Sequence, residues 1–153
     1  MATRLDGKAV LALGSNLGEK ELNLNKCISL IGEKIGQVTS FSDYYKNDPL
    51  GFESDNQFIN MCIEVSTMLN PTELLNVIKS IELEMGRVKT QASYEDRIID
   101  IDIILFDEFV LNRKDLIIPH SKYKTRLFVL TPMNQMGEYF DPQVFLSCGQ
   151  LLK

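Results

Sequence analysis

The sequence has no tryptophan, one histidine, three cysteines and five prolines in 153 residues, and it carries no surplus of positive charge. Each shortage excludes something. Lys+Arg number 16 against 21 Asp+Glu, a formal charge of −5. That balance argues against nucleic acid or an anionic membrane as the main partner, because both demand dense basic surface. A polyanionic small molecule stays admissible if metal ions or a local basic patch offset the charge. Cys27, Cys62 and Cys148 are odd in number and lack CxxC spacing or a neighbouring His. They read as reduced thiols of a cytoplasmic protein and not as a disulfide framework. No apolar run approaches the roughly 18 residues of a membrane helix, and the first eight residues hold no apolar leader core. Repeats, low-complexity tracts and Pro/Gly/Ser linkers are missing too. The expectation is a soluble single domain over residues 1–153 with no obligate protein partner. A chain of this length buries about 68–70% of its unfolded surface and needs no disulfide or structural metal.

What is present is a mixed order of elements. Ala9 to Leu13 predicts a strand closed by a turn at Gly14-Ser15-Asn16, and Glu19 to Ile35 predicts a helix by apolar spacing, with Gly36 as its stop. Val38 to Lys46 predicts a strand, and Asn47-Asp48-Pro49-Leu50-Gly51 a turn-rich loop. Phe58 to Met68 alternates apolar and polar residues and predicts a half-buried strand. Asn70-Pro71-Thr72-Glu73 supplies an N-cap, an N1 proline and an N3 acid for a helix that ends near Gly86. Ile98 to Phe106 predicts a strong strand and Phe109 to Leu111 a short one. Ser121 to Met136 predicts a loop entering a helix that Pro132 interrupts, and a last short helix is expected from Pro142. This order is that of a split βαβ, a ferredoxin-like α+β sandwich with helices on one face of a mainly antiparallel sheet. The other face is then open for a site.

The segment Arg97-Ile98-Ile99-Asp100-Ile101-Asp102-Ile103-Ile104-Leu105 carries the sharpest chemical signal. Alternate residues of a strand share a face, so Ile99, Ile101, Ile103 and Leu105 point one way and Asp100 and Asp102 the other, roughly 6–7 Å apart at the backbone. Paired like charges on one strand face are unfavourable, and a divalent cation removes the repulsion. Sparse oxygen ligands suit Mg²⁺, which completes its shell with water and substrate phosphates. The plain alternative is a solvated outer face with acids on it by chance. Arg87, Lys89 and Arg97 precede the pair, and His120, Lys122, Lys124 and Arg126 follow it; carboxylates, Mg²⁺ and Arg forks together suit phosphoryl transfer. Taken singly, each of these cations is more often a solvated surface charge, and a lone loop His such as His120 after Pro119 is more often structural or incidental than catalytic. Phe58 and Asn60 are expected on opposite faces if the strand has begun by Phe58, or in one pocket if a loop-to-strand junction falls there. An aromatic and an amide together suit a flat heteroaromatic ligand. Gly14-Ser15-Asn16-Leu17-Gly18 lacks the Lys and glycine spacing of a P-loop and is expected to be a structural turn.

Several motifs occur together in one order: Gly14-Ser15-Asn16-Leu17-Gly18, Pro49-Leu50-Gly51, Phe58-Ile59-Asn60, Asn70 to Leu75, Ile81-Glu82 with Gly86-Arg87, Arg97 to Asp102, Pro119-His120 and Arg126 to Leu130. In this series the chain resembles the 6-hydroxymethyl-7,8-dihydropterin pyrophosphokinase family of folate biosynthesis from about residue 9 to 145. The resemblance implies the ferredoxin-like fold and transfer of diphosphate from ATP to the pterin hydroxymethyl group, with AMP released. It implies that Asp100 and Asp102 bind two Mg²⁺ and, with Arg87 and Arg97, form the catalytic set. It further implies ATP contacts from Glu82, Arg87, Arg97, Ile103, His120 and Arg126. Asn47, Asp48, Leu50, Phe58, Asn60, Tyr94 and Phe128 would surround the pterin. The chain departs from the family where many members carry a Trp-Gly-Pro-Arg-like run. Here Tyr94-Glu95-Asp96-Arg97 stands in its place, and Thr90 and Ser93 occupy positions that are often basic.

Overall fold

In the computed structural model of the chain, residues 6–47, 57–86 and 96–153 are described. Strand β1 (Gly7–Ser15) is central, and helix α1 (Lys20–Lys34) leads to β2 (Gly36–Phe41) and the short β3 (Tyr45–Asn47). Then come β4 (Phe58–Thr67), α2 (Pro71–Glu84) and β5 (Asp100–Phe106), followed by β6 (Leu111–Asn112), β7 (Ile117–Ile118), α3 (Leu127–Met136) and α4 (Cys148–Leu151). The sheet order is β2-β4-β1-β5, with β3 also on β4, and every pairing is antiparallel. β4 lies between β1 and β2, and β1 between β4 and β5, so α1 and α2 are the crossovers of a split βαβ. The α+β, ferredoxin-like expectation therefore holds.

Helix α2 forms where its cap signals place it. Asn70 accepts from the Glu73 N–H at 2.8 Å, and the Glu73 carboxylate accepts from the Asn70 N–H at 3.0 Å, a complete capping box with Pro71 at the first turn. Its apolar stripe, Leu74, Ile78 and Ile81, joins Leu24, Cys27 and Ile31 of α1 over Leu11, Leu13, Ile63 and Ile101. Truncating a fully buried member such as Ile31 to Ala costs about 2–5 kcal/mol.

The opposite face is less open than expected. α3 and α4 pack there on Val10, Cys62, Ile104 and Leu105, burying Val129, Leu130, Met133 and Cys148. For this reason β4 is not half-buried. Cys62, on its polar-looking side, is covered as fully as Met61 and Ile63, and Asn60 is buried too. Pro132 does not interrupt α3, which runs through it; one lost amide bond is offset by the packing of the helix's apolar face, with Val129, Leu130, Pro132 and Met133 buried.

Other boundaries also differ from expectation. The strand expected over Val38–Lys46 is divided at Ser42, whose hydroxyl accepts from the Cys62 N–H at 2.9 Å while its own N–H donates to the Cys62 carbonyl. The serine side chain thus takes a ladder position that the backbone gives up. The pairing of β1 with β5 shifts between Val10 and Leu11, so Ile104 bulges and Leu105 turns with it toward α3, away from Ile101 and Ile103. The short strand expected over Phe109–Leu111 is instead β6, paired with β7. The last helix starts at Cys148, not at Pro142: Ser147 and Gln150 make its capping box, while Pro142 sits in a turn closed on Asp141. Among the described residues no helix is long and apolar enough to cross a membrane.

Candidate active site

A cavity of about 470 Å³ lies along the outer edge of β5, walled by α2 on one side and by the start of α3 on the other. Asp100 and Asp102 stand opposite Gly14 and Ala12 of β1, two small residues that leave the space above the carboxylates free. Both carboxylates are half-buried. The Arg97 guanidinium, 13% exposed, lies 3.3 Å from Asp100 Oδ1. Between the two acids, the Ile101 N–H donates to the Glu82 carboxylate at 3.0 Å. Edge-strand amides need such a partner when no further strand covers them.

His120 is fixed beside the same strand, its N–H donating to the Ile104 carbonyl at 2.9 Å. Nδ1 accepts from the Lys122 N–H at 3.1 Å, so the ring proton resides on Nε2. Burial, then repulsion from Arg126, pull its pKa down to about 4, with Asp100 opposing and Lys122 adding a smaller push. The imidazole is therefore neutral at pH 7 and offers one N–H to the cavity. The Arg126 guanidinium carbon sits 5.6 Å from the centre of the Phe128 ring, within cation–π range.

At the other end of the cavity, Phe58 and Asn60 come together because β4 begins at Phe58 and residues two apart on a strand share a face. The expectation of opposite faces is thereby corrected. Asn60 Nδ2 donates to Asn47 Oδ1, across the β3–β4 pairing. Gly14 lies behind: a Cβ there would stand 2.6 Å from Asn60 Oδ1. Phe128 completes the aromatic lining.

The cavity thus gathers Asn47, Phe58, Asn60, Glu82, Arg97, Asp100, Asp102, His120, Arg126 and Phe128. Ile103 is not among them; it lines an adjoining cavity of about 260 Å³ that shares Leu75, Ile101, Asp102, His120 and Ser121 with the first. Asp48, Leu50, Arg87 and Tyr94 lie outside the described residues. Sequence reasoning passed over Lys79, which enters the cavity from α2 four residues after Leu75 and three before Glu82, a helical spacing that would have found it. It also treated Asn16 only as part of a turn. Among the described residues no cluster of three or more His, Cys, Asp or Glu is placed to hold a metal. A two-carboxylate oxygen set with room for water and phosphate oxygens nevertheless fits Mg²⁺, which is seldom held by an all-protein cage.

The fold and this cleft define a ferredoxin-like α+β domain whose site sets paired acids and arginines at one end and an aromatic–amide recess at the other. Residues 10–138 match the model of the 7,8-dihydro-6-hydroxymethylpterin-pyrophosphokinase (HPPK) family. The chain belongs to that family. It is 40% identical over 136 residues to a 2-amino-4-hydroxy-6-hydroxymethyldihydropteridine pyrophosphokinase of Bacillus subtilis, covering 88% of this chain and 81% of that one. The Porphyromonas gingivalis enzyme of the same name is 32% identical over 136 residues, covering 87% and 92%. A bifunctional protein FolKE of Lactococcus lactis is 36% identical over 128 residues, and the match spans 82% of this chain but only 36% of the relative. In fold, the chain is similar to the crystal structure of Plasmodium falciparum HPPK-DHPS, with a TM-score of 0.77 at 19% identity, covering 95% of this chain and 44% of that one.

Proposed function

We infer that the chain transfers a diphosphoryl group from ATP to the hydroxymethyl oxygen of 6-hydroxymethyl-7,8-dihydropterin, releasing AMP, in folate synthesis. The observation that carries this is one cleft in which acids and cations adjoin an aromatic–amide recess, within a chain that matches the family over residues 10–138. The hydroxymethyl oxygen bonds to the β-phosphorus, the bond from that phosphorus to the oxygen bridging it to the α-phosphate breaks, and the hydroxyl proton is lost. Such a step needs positioning and charge stabilisation more than covalent help.

Phe58 and Phe128 would stack on the pterin while the amides of Asn60 and Asn47 read its edge. Arg97 and Arg126 offer planar forks to phosphate oxygens, and the neutral His120 donates one further hydrogen bond from Nε2. The Ile103 cavity, adjoining Asp102 and His120, suits the nucleoside end of ATP. Asp100 and Asp102 are the residues that would hold Mg²⁺, two ions on this reading. When bound, the metal supplies charge neutralisation and orientation of the phosphate oxygens. Arg87, Asp48, Leu50 and Tyr94 belong to the proposal through the resemblance alone. The three cysteines are free thiols, the state a reducing cytoplasm maintains.

The test measures AMP release from ATP with and without the dihydropterin and with and without Mg²⁺, in the wild type, Asp100→Ala and Asp102→Ala. Pterin-dependent AMP that falls by at least about a hundredfold in both variants, with the thermal midpoint kept, supports the assignment. Near-wild-type activity in both variants overturns the metal role. Tight binding of ATP and pterin without AMP overturns the transfer reading and leaves a binding module.

A further inference from the structure

We propose that Asn16 and Asp96 form a latch that positions the Arg97 guanidinium, and that turnover depends on this pair although neither side chain lines the cavity. The inference rests on the diphosphoryl-transfer reading of the cleft.

Asn16 directly follows β1 and is fully buried. Three of its polar groups engage one dipeptide. Its backbone N–H donates to the Arg97 carbonyl at 3.1 Å, its Oδ1 accepts from the Arg97 N–H at 2.7 Å, and its Nδ2 donates to Asp96 Oδ1 at 2.6 Å. The orientation of the amide has one solution, because a backbone N–H can only donate and an ionised carboxylate can only accept. The last ladder partners of β1 and β5 are Gly14 and Asp100. Asn16 carries the connection between these two segments three residues further back, to Arg97.

The consequence lies in what Arg97 can do from there. Its backbone is held on both the N–H and the carbonyl side by Asn16, and its guanidinium lies 3.3 Å from Asp100 Oδ1 with little solvent around it. A fork that must meet phosphate oxygens tolerates little displacement, since an error of about 1 Å in a reacting geometry can cost roughly a hundredfold in rate. Asp96 is adjacent to Arg97 in the chain, so its bond to Asn16 fixes the entry direction of the segment. Asn16 and Asp96 are positioning residues, acting through Arg97.

The experiment compares Asp96→Ala, Asp96→Asn, Asn16→Asp and the exchanged pair Asn16→Asp/Asp96→Asn. The readouts are kcat and KM for pterin-dependent AMP release, the thermal midpoint, and hydrogen exchange at the Arg97 amide, which requires no turnover. Asp96→Asn retains an acceptor and should keep activity within severalfold. Asp96→Ala should lower kcat by about tenfold, and Asn16→Asp, which sets two carboxylates against each other, by about a hundredfold, with the pterin KM within about twofold. Arg97 exchange should quicken at least about tenfold in both. The exchanged pair restores an amide–carboxylate bond with its donor on the other side and keeps an acceptor for the Arg97 N–H. It should regain at least about tenfold in kcat over Asn16→Asp, the non-additivity of coupled neighbours. An Asp96→Ala variant with wild-type kcat and wild-type Arg97 exchange overturns the latch even if Asn16→Asp does not fold. So does an exchanged pair whose loss is the product of the single losses. Absence of pterin-dependent AMP in the wild type overturns the transfer reading instead, and the exchange measurement still decides the latch.

Discussion

The Glu82 carboxylate accepts the Ile101 N–H at 3.0 Å, and Ile101 is the residue between the two aspartates of β5. A side chain from α2 thereby fixes the strand at the point from which both acids project. Glu82→Ala should leave a partly buried amide without this partner. Its expected cost is about 1.5–3 kcal/mol in stability, the range for bonds to charged groups, together with a fall in kcat of about tenfold or more. Glu82→Gln keeps an oxygen acceptor and should lose less of both. Denaturant titration beside the AMP assay checks this; equal stability of Glu82→Ala and wild type would remove Glu82 from that role.

Gly14 stands behind the amide end of Asn60, and a methyl group there would come within 2.6 Å of Oδ1 and 3.5 Å of the Phe58 ring. Gly14→Ala should push Asn60 out of line with Asn47. The expected result is a rise in the dihydropterin KM of about tenfold together with a fall in kcat, because Gly14 also stands opposite Asp100 in the β1–β5 ladder. Steady-state kinetics with each substrate varied in turn reads both changes.

His120 gives a pH dependence whose sign follows from its depressed pKa of about 4. Well above pH 6.5 the ring is neutral in both folded and unfolded chains and contributes nothing. As pH falls from about 6.5 toward 4, the unfolded chain takes up a proton that the folded one refuses, so stability declines across that window. His120→Gln should flatten this decline in thermal midpoints measured from pH 7 to 4. The wild-type activity profile should show no His titration between pH 6 and 8. The depressed carboxylates of Glu64 and Asp141 act at lower pH: their stabilisation is present above the ordinary carboxylate range and is lost as pH falls below it.

Asp141 is fully buried and accepts from the Tyr123 hydroxyl at 2.7 Å and from the Gln143 and Val144 N–H groups at 2.7 and 3.1 Å. Burial alone would raise its pKa; these bonds and Lys124 outweigh it. Tyr123→Phe removes one donor and should cost about 1.5–3 kcal/mol, read by denaturant titration. Tyr123 also accepts the Arg126 N–H at 3.0 Å through its carbonyl, which the substitution leaves in place. Activity should therefore stay within severalfold of wild type.

The elements that carry the site were legible because their signals are local. Asn70-Pro71-Thr72-Glu73 specifies its own helix start, and the alternation of Ile and Asp places Asp100 and Asp102 on one face of β5. What escaped depends on the rest of the molecule. The bulge at Ile104 is invisible in an apolar run, since either face would accept those side chains. Pro132 ends a helix in isolation but not one packed on Cys62 and Leu105. Asn60, on the polar side of the sequence pattern, is buried where β3 pairs with β4 and bonds to Asn47 there. Asn16 and Lys79 escaped for another reason: their roles are set by neighbours about 80 and 20 residues away in the chain.

The three free thiols are divided between the two sides of the sheet, Cys27 on the buried face of α1, and Cys62 of β4 with Cys148 at the start of α4 in the cluster formed with α3. Burial pushes Cys27 up to about 12 and Cys62 higher still, so neither forms a thiolate in the folded chain at neutral pH. Alkylating reagents and peroxide act on thiolates, and here they gain access only when a layer lifts. The sequence thus contains a reporter in each layer: the modification rate of Cys27 reads the opening of one helical layer, and that of Cys62 and Cys148 reads the opening of the other.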